Sequence, residues 1–249
     1  MSIRILSVFL VALLTACQSA GVAEKREADR GKIAEVNTEL GFQYMQKGEY
    51  EIAMNKLKKA LEADPDHVDA HNAMGVLHAT LGQNDDAERN FQRALRLDPA
   101  NSAALNNYGQ FLCQRKRYEE GQRQFLKAVE NPLYKLPGAA YSNAGTCALD
   151  AGDLDTAESH FRKALEVDPR LAPALIQMAD LSYRLGRHLP ARGYLQRYLE
   201  VARHTAASLW LGIRIERELG DKDALASYGL QLERNFPDAA ETRLYLDSK

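Results

Sequence analysis

The sequence predicts an all-α protein in which pairs of antiparallel helices stack into a right-handed superhelical solenoid. The first observation is a glycine that recurs about every 34 residues. The second is an alanine followed four residues later by Leu or Phe, which marks one face of a helix. The third is a proline that closes each of four successive segments. Self-similarity at a fixed period is the signature of a repeat fold.

Each recurring residue has a mechanical role in a helix pair. A small residue on the first helix lets the second helix approach, and the large apolar residue fills the space between pairs. Proline has no N–H and cannot continue a helix, so the chain turns there. The recurring positions are Gly41, Gly75, Gly109 and Gly145; Ala53, Ala87, Gly121, Ala157 and Ala191; Leu57, Phe91, Phe125, Phe161 and Leu195; and Pro65, Pro99, Pro132 and Pro169. The tight turn within each pair is predicted at Gly48, Gly82, Gly152, Gly186 and Gly220.

These patterns resemble the tetratricopeptide repeat (TPR) over roughly four fifths of the chain. The third repeat is two residues longer than the second because of an insert before its end. The fifth and sixth repeats depart from the pattern, as the solvent-facing end of an array requires. The resemblance predicts a TPR domain over 34–249, with repeats at 34–67, 68–101, 102–137, 138–171, 172–204 and 205–237 and a C-terminal capping helix within 238–249.

The first 16 residues predict a lipoprotein signal peptide. Arg4 provides a positive charge, and Ile5–Leu14 is an apolar run too short to span a bilayer, which takes ~20 helical residues. The run ends in Leu-Thr-Ala-Cys, which resembles the bacterial lipobox, and the thiol of Cys17 is the nucleophile that acyl transfer needs. A buried helix of the folded domain is the alternative.

The lipobox resemblance implies that acyl chains on Cys17 anchor the protein in membrane lipid. Several acyl chains hold stably, at ~0.8 kcal/mol per buried CH₂ group. Gln18 replaces the aspartate that retains lipoproteins in the inner membrane, so the lipoprotein-sorting machinery is expected to deliver the chain to the outer membrane, facing the periplasm. Residues 17–33 are expected to form the lipidated N-terminus and a tether.

Composition and motifs predict no enzyme, no cofactor and no nucleic-acid partner. The formal net charge is −2, and the sequence has no phosphate-binding loop or hydrolase motif. His67, His71 and His78 have spacings that could align on a helix, but His67 is expected in a turn. The histidines are therefore expected to be solvated rather than metal ligands. An unrecognised site at His71 and His78 would be the only support for an enzyme.

Cys113 and Cys147 are expected at nearly the same level of neighbouring first helices. The periplasm favours disulfides, and a bridge closing a loop of about 35 residues would stabilise the fold by ~3–4 kcal/mol. The alternative is a pair of free cysteines that pack as small hydrophobic side chains.

The first helices of TPR proteins line a concave groove that binds an extended peptide or a helix, and this family property selects the candidate residues. Phe42 and Met45 are the most informative, because large apolar side chains on an open groove indicate a partner. Alternatively, the helix before residue 34 folds over them. The predicted groove residues are Thr38, Phe42, Met45, Gln46, Asn72, Val76 and Asn106.

The lipobox followed by about six TPR units resembles the PilF/PilW family of type IV pilus biogenesis lipoproteins, and the segments 37–41 and 131–134 add to the resemblance. The resemblance implies a monomeric pilotin, a non-catalytic lipoprotein that binds the secretin subunit. It would promote the outer-membrane localisation and multimerisation of the secretin. The alternative is a periplasmic TPR lipoprotein that scaffolds peptidoglycan enzymes or other envelope-assembly enzymes. The partner follows from the resemblance alone.

Overall fold

The computed structural model describes residues 27–249, and every regular element in this part of the chain is a helix. No helix among these residues has the length and hydrophobicity that a membrane span requires. The helices are α1 (27–46), α2 (Tyr50–Ala63), α3 (Val68–Thr80), α4 (Asn84–Leu97), α5 (Ser102–Gln114), α6 (Tyr118–Val129), α7 (Pro137–Asp150), α8 (Leu154–Val167), α9 (Ala172–Arg184), α10 (His188–Leu199), α11 (Ala206–Leu219), α12 (Lys222–Asn235) and α13 (Ala240–Asp247).

The described helices form six pairs and a final single helix, and four of the pairs lie wholly inside one predicted repeat. One difference concerns the N-terminal side, where α1 already includes residues 27–33, which the sequence predicted as tether. The predicted signal peptide and Cys17 lie outside the described residues. The all-helical TPR fold and the final capping helix are as predicted, and the capping helix α13 packs against α11 and α12.

Close approach within five of the six pairs depends on a recurring glycine, whereas the fifth pair has Ala179 at this position. A Cβ atom on Gly75 would lie 2.8 Å from the Phe91 ring, and one on Gly145 would lie 2.6 Å from the Phe161 ring. Both phenylalanine side chains are almost fully buried. Any larger residue at the glycine would therefore push the second helix away, which is the mechanical reason for the period.

The turn within a pair uses a left-handed backbone. Five of the turns have glycine there, with φ between 70° and 83°. The third repeat has Lys116 instead, at φ 61°, which is the one described non-glycine residue with positive φ. Glycine adopts this conformation without steric cost, whereas a side chain makes it less favourable.

The chain divides into two compact units, Met1–Tyr108 and Gly109–Lys249, with the division inside α5. Each unit has its own hydrophobic core. In the first, Leu57, Met74 and Leu77 pack with small residues of α2 and α3. In the second, the largest cluster surrounds Phe161 and Met178 and extends from α7 to α11.

Candidate protein-interaction site

Two of the predicted groove residues, Thr38 and Asn72, are buried, which does not favour their direct contact with a partner. Thr38 is 4% exposed, and its hydroxyl donates to the carbonyl oxygen of Ala34 at 2.8 Å within α1. Asn72 is 3% exposed, and its Oδ1 accepts a hydrogen bond from Nδ2 of Asn107 at 3.1 Å. Both side chains use their polar groups inside the protein, where a partner has no access to them.

Phe42 and Met45 are neither fully open nor fully covered among the described residues. Both are half-buried and pack against a core that includes Leu57 and Leu77. Because α1 is continuous from residue 27 to residue 46, residues 27–33 extend the helix and do not fold back over these side chains. These side chains therefore belong partly to the core, and only part of each side chain is accessible to a partner.

The remaining predicted groove residues of the first compact unit differ in access. Gln46 is exposed at the end of α1, while Val76 and Asn106 are half-buried. The structure adds two residues that the sequence reasoning missed. Ile33 and Val36 lie one turn apart on α1 and are 49% and 50% exposed. Their i, i+3 spacing was the available signal, but Ile33 lies just before and Val36 just after the predicted start of the domain at residue 34.

Cys113 and Cys147 form a disulfide in the structure, with their Cα atoms 5.6 Å apart. The bond joins α5 to α7, two successive first helices of the second compact unit. A small cleft of about 200 Å³ lies beside it and is lined by polar side chains that include Gln110, Thr146 and Asp150.

A second cleft, which we call the C-terminal cleft, lies on α9, α11 and α13. Its volume is about 280 Å³, and it contains Trp210, the single tryptophan of the chain. Three charged side chains lie beside the indole: Asp180 accepts from Arg184 at 2.6 Å and lies 3.5 Å from Arg214. The sequence reasoning missed this site because it treated the fifth and sixth repeats as a degenerate end.

His67 and His71 make hydrogen-bonding contacts within the protein. His67 caps α3 by accepting from the backbone N–H of Ala70, and the ring of His71 lies within hydrogen-bonding distance of Asn90 and of the Pro65 carbonyl oxygen. No group of three metal-ligating side chains occurs among residues 27–249.

His160 corrects the expectation that the histidines are solvated. Its side chain is only 6% exposed and stacks beside Tyr141, with ring centroids 6.4 Å apart. Burial lowers the pKa of His160 below its ordinary value, and the nearby Lys163 lowers it further, while Asp153 acts in the opposite direction.

The fold and its repeat geometry agree with comparisons to known proteins. Tetratricopeptide repeat families match residues 68–101, 101–170 and 136–204, and a TPR repeat family matches residues 41–82. The type IV pilus assembly protein PilF of Pseudomonas aeruginosa is 36% identical over 244 residues, which cover 97% of each chain. The chain belongs to the PilF family of type IV pilus biogenesis proteins.

Solved structures of PilF-family proteins have the same fold. Pseudomonas aeruginosa PilF superposes with a TM-score of 0.80 at 35% identity, covering 89% of this chain and 100% of that one. PilW, a type IV pilus biogenesis factor, superposes with a TM-score of 0.78 at 31% identity, covering 86% of this chain and 98% of that one. This PilF-family chain is thus a TPR protein whose fold is suited to binding other proteins.

Proposed function

We propose that this PilF-family chain is an outer-membrane lipoprotein pilotin that binds the secretin of the type IV pilus system and promotes its localisation and multimerisation. The observation that carries the proposal is the 36% identity to the type IV pilus assembly protein PilF over nearly the whole chain. The lipobox that ends at Cys17 supports the membrane anchor.

The proposed mechanism combines a membrane anchor with a protein-binding surface. Acyl chains on Cys17 place the protein at the outer membrane through the lipoprotein-sorting machinery, and the TPR domain holds a segment of the secretin. Secretin subunits that are bound to membrane-anchored copies of this chain share one leaflet. Their effective concentration is therefore higher than that of free subunits, which favours multimer formation without catalysis.

The surface of α1 is the best candidate for contact with the secretin. Ile33 and Val36 expose about half of their side chains on one face of this helix. Phe42 and Met45 present partly buried apolar edges, and methionine adapts to different partners. An amphipathic helix of the partner would bury these side chains and gain ~25 cal/mol for each Å² of apolar surface removed from water.

The proposal is tested in a deletion strain complemented with variants of this chain. We expect wild type to restore SDS-resistant secretin multimers and twitching, and the deletion to leave monomeric secretin. Secretin multimers that form normally in the deletion strain, together with altered cell shape, would overturn the pilotin function and favour the envelope scaffold.

Binding is tested separately by co-purification of secretin with the tagged chain. Ile33→Ser combined with Val36→Ser should abolish co-purification and leave helicity unchanged, because both side chains lie on the surface. Phe42→Ala and Met45→Ala should also weaken it. The matched control is Leu230→Ser on α12, where the side chain is 68% exposed. If the Ile33/Val36 variant co-purified as much secretin as this control, α1 would not be the binding surface.

A further inference from the structure

The C-terminal cleft contains an arginine whose hydrogen-bonding capacity is only partly used by the protein. Nε of Arg214 is buried and has no hydrogen-bond partner among the described residues. Nη2 of the same side chain lies 3.5 Å from the Asp180 carboxylate, at the outer limit of a hydrogen bond. A buried donor without an acceptor is rare in native proteins and requires an explanation.

Aromatic rings hold this arginine in place. The guanidinium carbon of Arg214 lies 4.7 Å from the centroid of the Tyr183 ring and 5.9 Å from the Trp210 ring. Cation–π contacts of this kind fix the plane of the guanidinium group, so its N–H groups keep one direction. The donor set is therefore oriented before any ligand arrives.

The charged groups around the cleft come from three helices. On α9, Asp180 accepts from Arg184 at 2.6 Å, so the nearer cation takes most of its hydrogen-bonding capacity. Arg214 lies on α11, and Glu241 lies in the first turn of α13. Two guanidinium groups thus share one carboxylate, while Glu241 adds a negative charge at the α13 side.

We propose that the C-terminal cleft binds an extended polypeptide segment through an acidic side chain. The incoming carboxylate accepts hydrogen bonds from Arg184 and from the terminal nitrogens of Arg214, whose hydrogen bond to Asp180 is long at 3.5 Å. Charge-assisted bonds to guanidinium are among the strongest hydrogen bonds in proteins. An apolar neighbour of the acidic residue packs on the indole of Trp210.

The composition and the size of the cleft both fit this occupant. Trp, Tyr and Arg are the residues enriched at the energetic centres of protein interfaces. Gln177 and the Thr205 hydroxyl also line the cleft and can bind the backbone of the segment. A volume of about 280 Å³ accommodates one or two side chains, less than most cofactor sites require. This second site lies outside the α1 surface, and the inference does not depend on the proposed pilotin function.

The single tryptophan provides the measurement. The purified full-length chain in detergent is titrated with the blocked peptide acetyl-Ala-Leu-Glu-Leu-Ala-amide while Trp210 emission is recorded. The glutamine counterpart of the peptide serves as the neutral probe. We expect the glutamate peptide to bind at least about tenfold more tightly, a factor that corresponds to ~1.4 kcal/mol. Equal affinities, or no change in emission with either peptide, would overturn the proposal.

Variants assign the selectivity to the cleft. Arg184→Gln, on an exposed side chain that the fold does not need, should remove most of the preference for glutamate, and Arg214→Lys should do the same. Glu241→Gln should instead tighten binding of the glutamate peptide, since it removes a like charge. The control is Arg234→Gln on the surface of α12, which should change nothing. Undiminished selectivity in the Arg184 variant would contradict the proposed contact.

Discussion

At the scale of single residues, Gly121 occupies a position where four other repeats have alanine. The disulfide explains this difference. A Cβ atom at residue 121 would lie 2.3 Å from Sγ of Cys113 and 2.8 Å from the carbonyl oxygen of Gly109. The sulfur atom fills the space that the alanine methyl group uses in the other repeats, so the glycine and the cysteine belong together.

Gly121→Ala is therefore expected to lower the free energy of unfolding by ~1–3 kcal/mol through overpacking. The matched control is Gly193→Ala in α10, where no atom lies within 4 Å of the added Cβ. That change should be neutral or stabilising by up to ~1 kcal/mol, because alanine favours helix more than glycine does. Urea unfolding followed by circular dichroism gives both values, and equal stability of the two variants would contradict the explanation.

His160 makes the stability of the fold depend on pH. Its pKa in the folded chain is below the ordinary value of 6.5, mainly because burial disfavours the charged form. The unfolded chain therefore binds a proton more readily, so the stabilisation is complete above pH 6.5 and is lost as the pH falls below it. Burial lowers the pKa of His204 as well, with the same sign.

The expected result is a melting temperature that decreases between pH 7.5 and pH 5.5, and a smaller decrease in His160→Asn. The measurement is a set of thermal melts across this range for both proteins. Because His204 remains in the variant, some dependence should persist. A variant with the same pH dependence as wild type would show that His160 does not couple folding to protonation.

At the scale of the helices, cross-links between pairs add to the repeated hydrophobic packing. Reduction of the bond between Cys113 and Cys147 should lower the free energy of unfolding by ~3–4 kcal/mol, since the bond closes a loop of 34 residues. Urea unfolding with and without reductant tests this, and the double serine variant should not respond to reductant. If non-reducing mass spectrometry of the mature protein found free thiols at both Cys113 and Cys147, the disulfide would be contradicted.

A buried ion pair joins α10 to α11. The Glu216 side chain is 3% exposed, and its carboxylate accepts from Nε of Arg192 at 2.9 Å and also from Nη2. Removal of Arg192 leaves the buried Glu216 carboxylate without its cation, so Arg192→Ala should destabilise by ~3–5 kcal/mol. Asp86→Ala, which breaks the exposed pair with Arg89, should cost less than ~1 kcal/mol. Comparable losses in the two variants would mean that burial does not set the cost.

At the scale of the whole molecule, the anchor and the TPR domain have separate roles in the proposed function. Cys17→Ser should move the protein from the outer-membrane fraction to the soluble periplasmic fraction, because the acyl chains are lost. The circular dichroism spectrum of the variant should remain helical, since Cys17 precedes the described helices. Fractionation of this variant with outer membranes, as for wild type, would remove the basis for the lipid anchor.

The repeat period predicts most of the fold. A glycine on the first helix and an aromatic residue on the second are local requirements of one helix pair, so they recur in the sequence and locate the pairs. The same reasoning fails at Lys116, where the third repeat has no glycine but keeps the left-handed turn. It also places the start of α1 too late, because residues 27–33 carry no repeat signal.

The sequence by itself determined that this protein is a stack of helix pairs, because the repeat depends on residue types at fixed spacings. The lipoprotein signal that the sequence also predicts lies outside the described residues. Tertiary structure decided which inner side chains a partner can reach. Thr38 and Asn72 were chosen by their repeat positions, yet neighbouring helices cover them. The contacts that gather Asp180, Arg214 and Trp210 into one cleft join helices far apart in the chain, and no local pattern records such contacts.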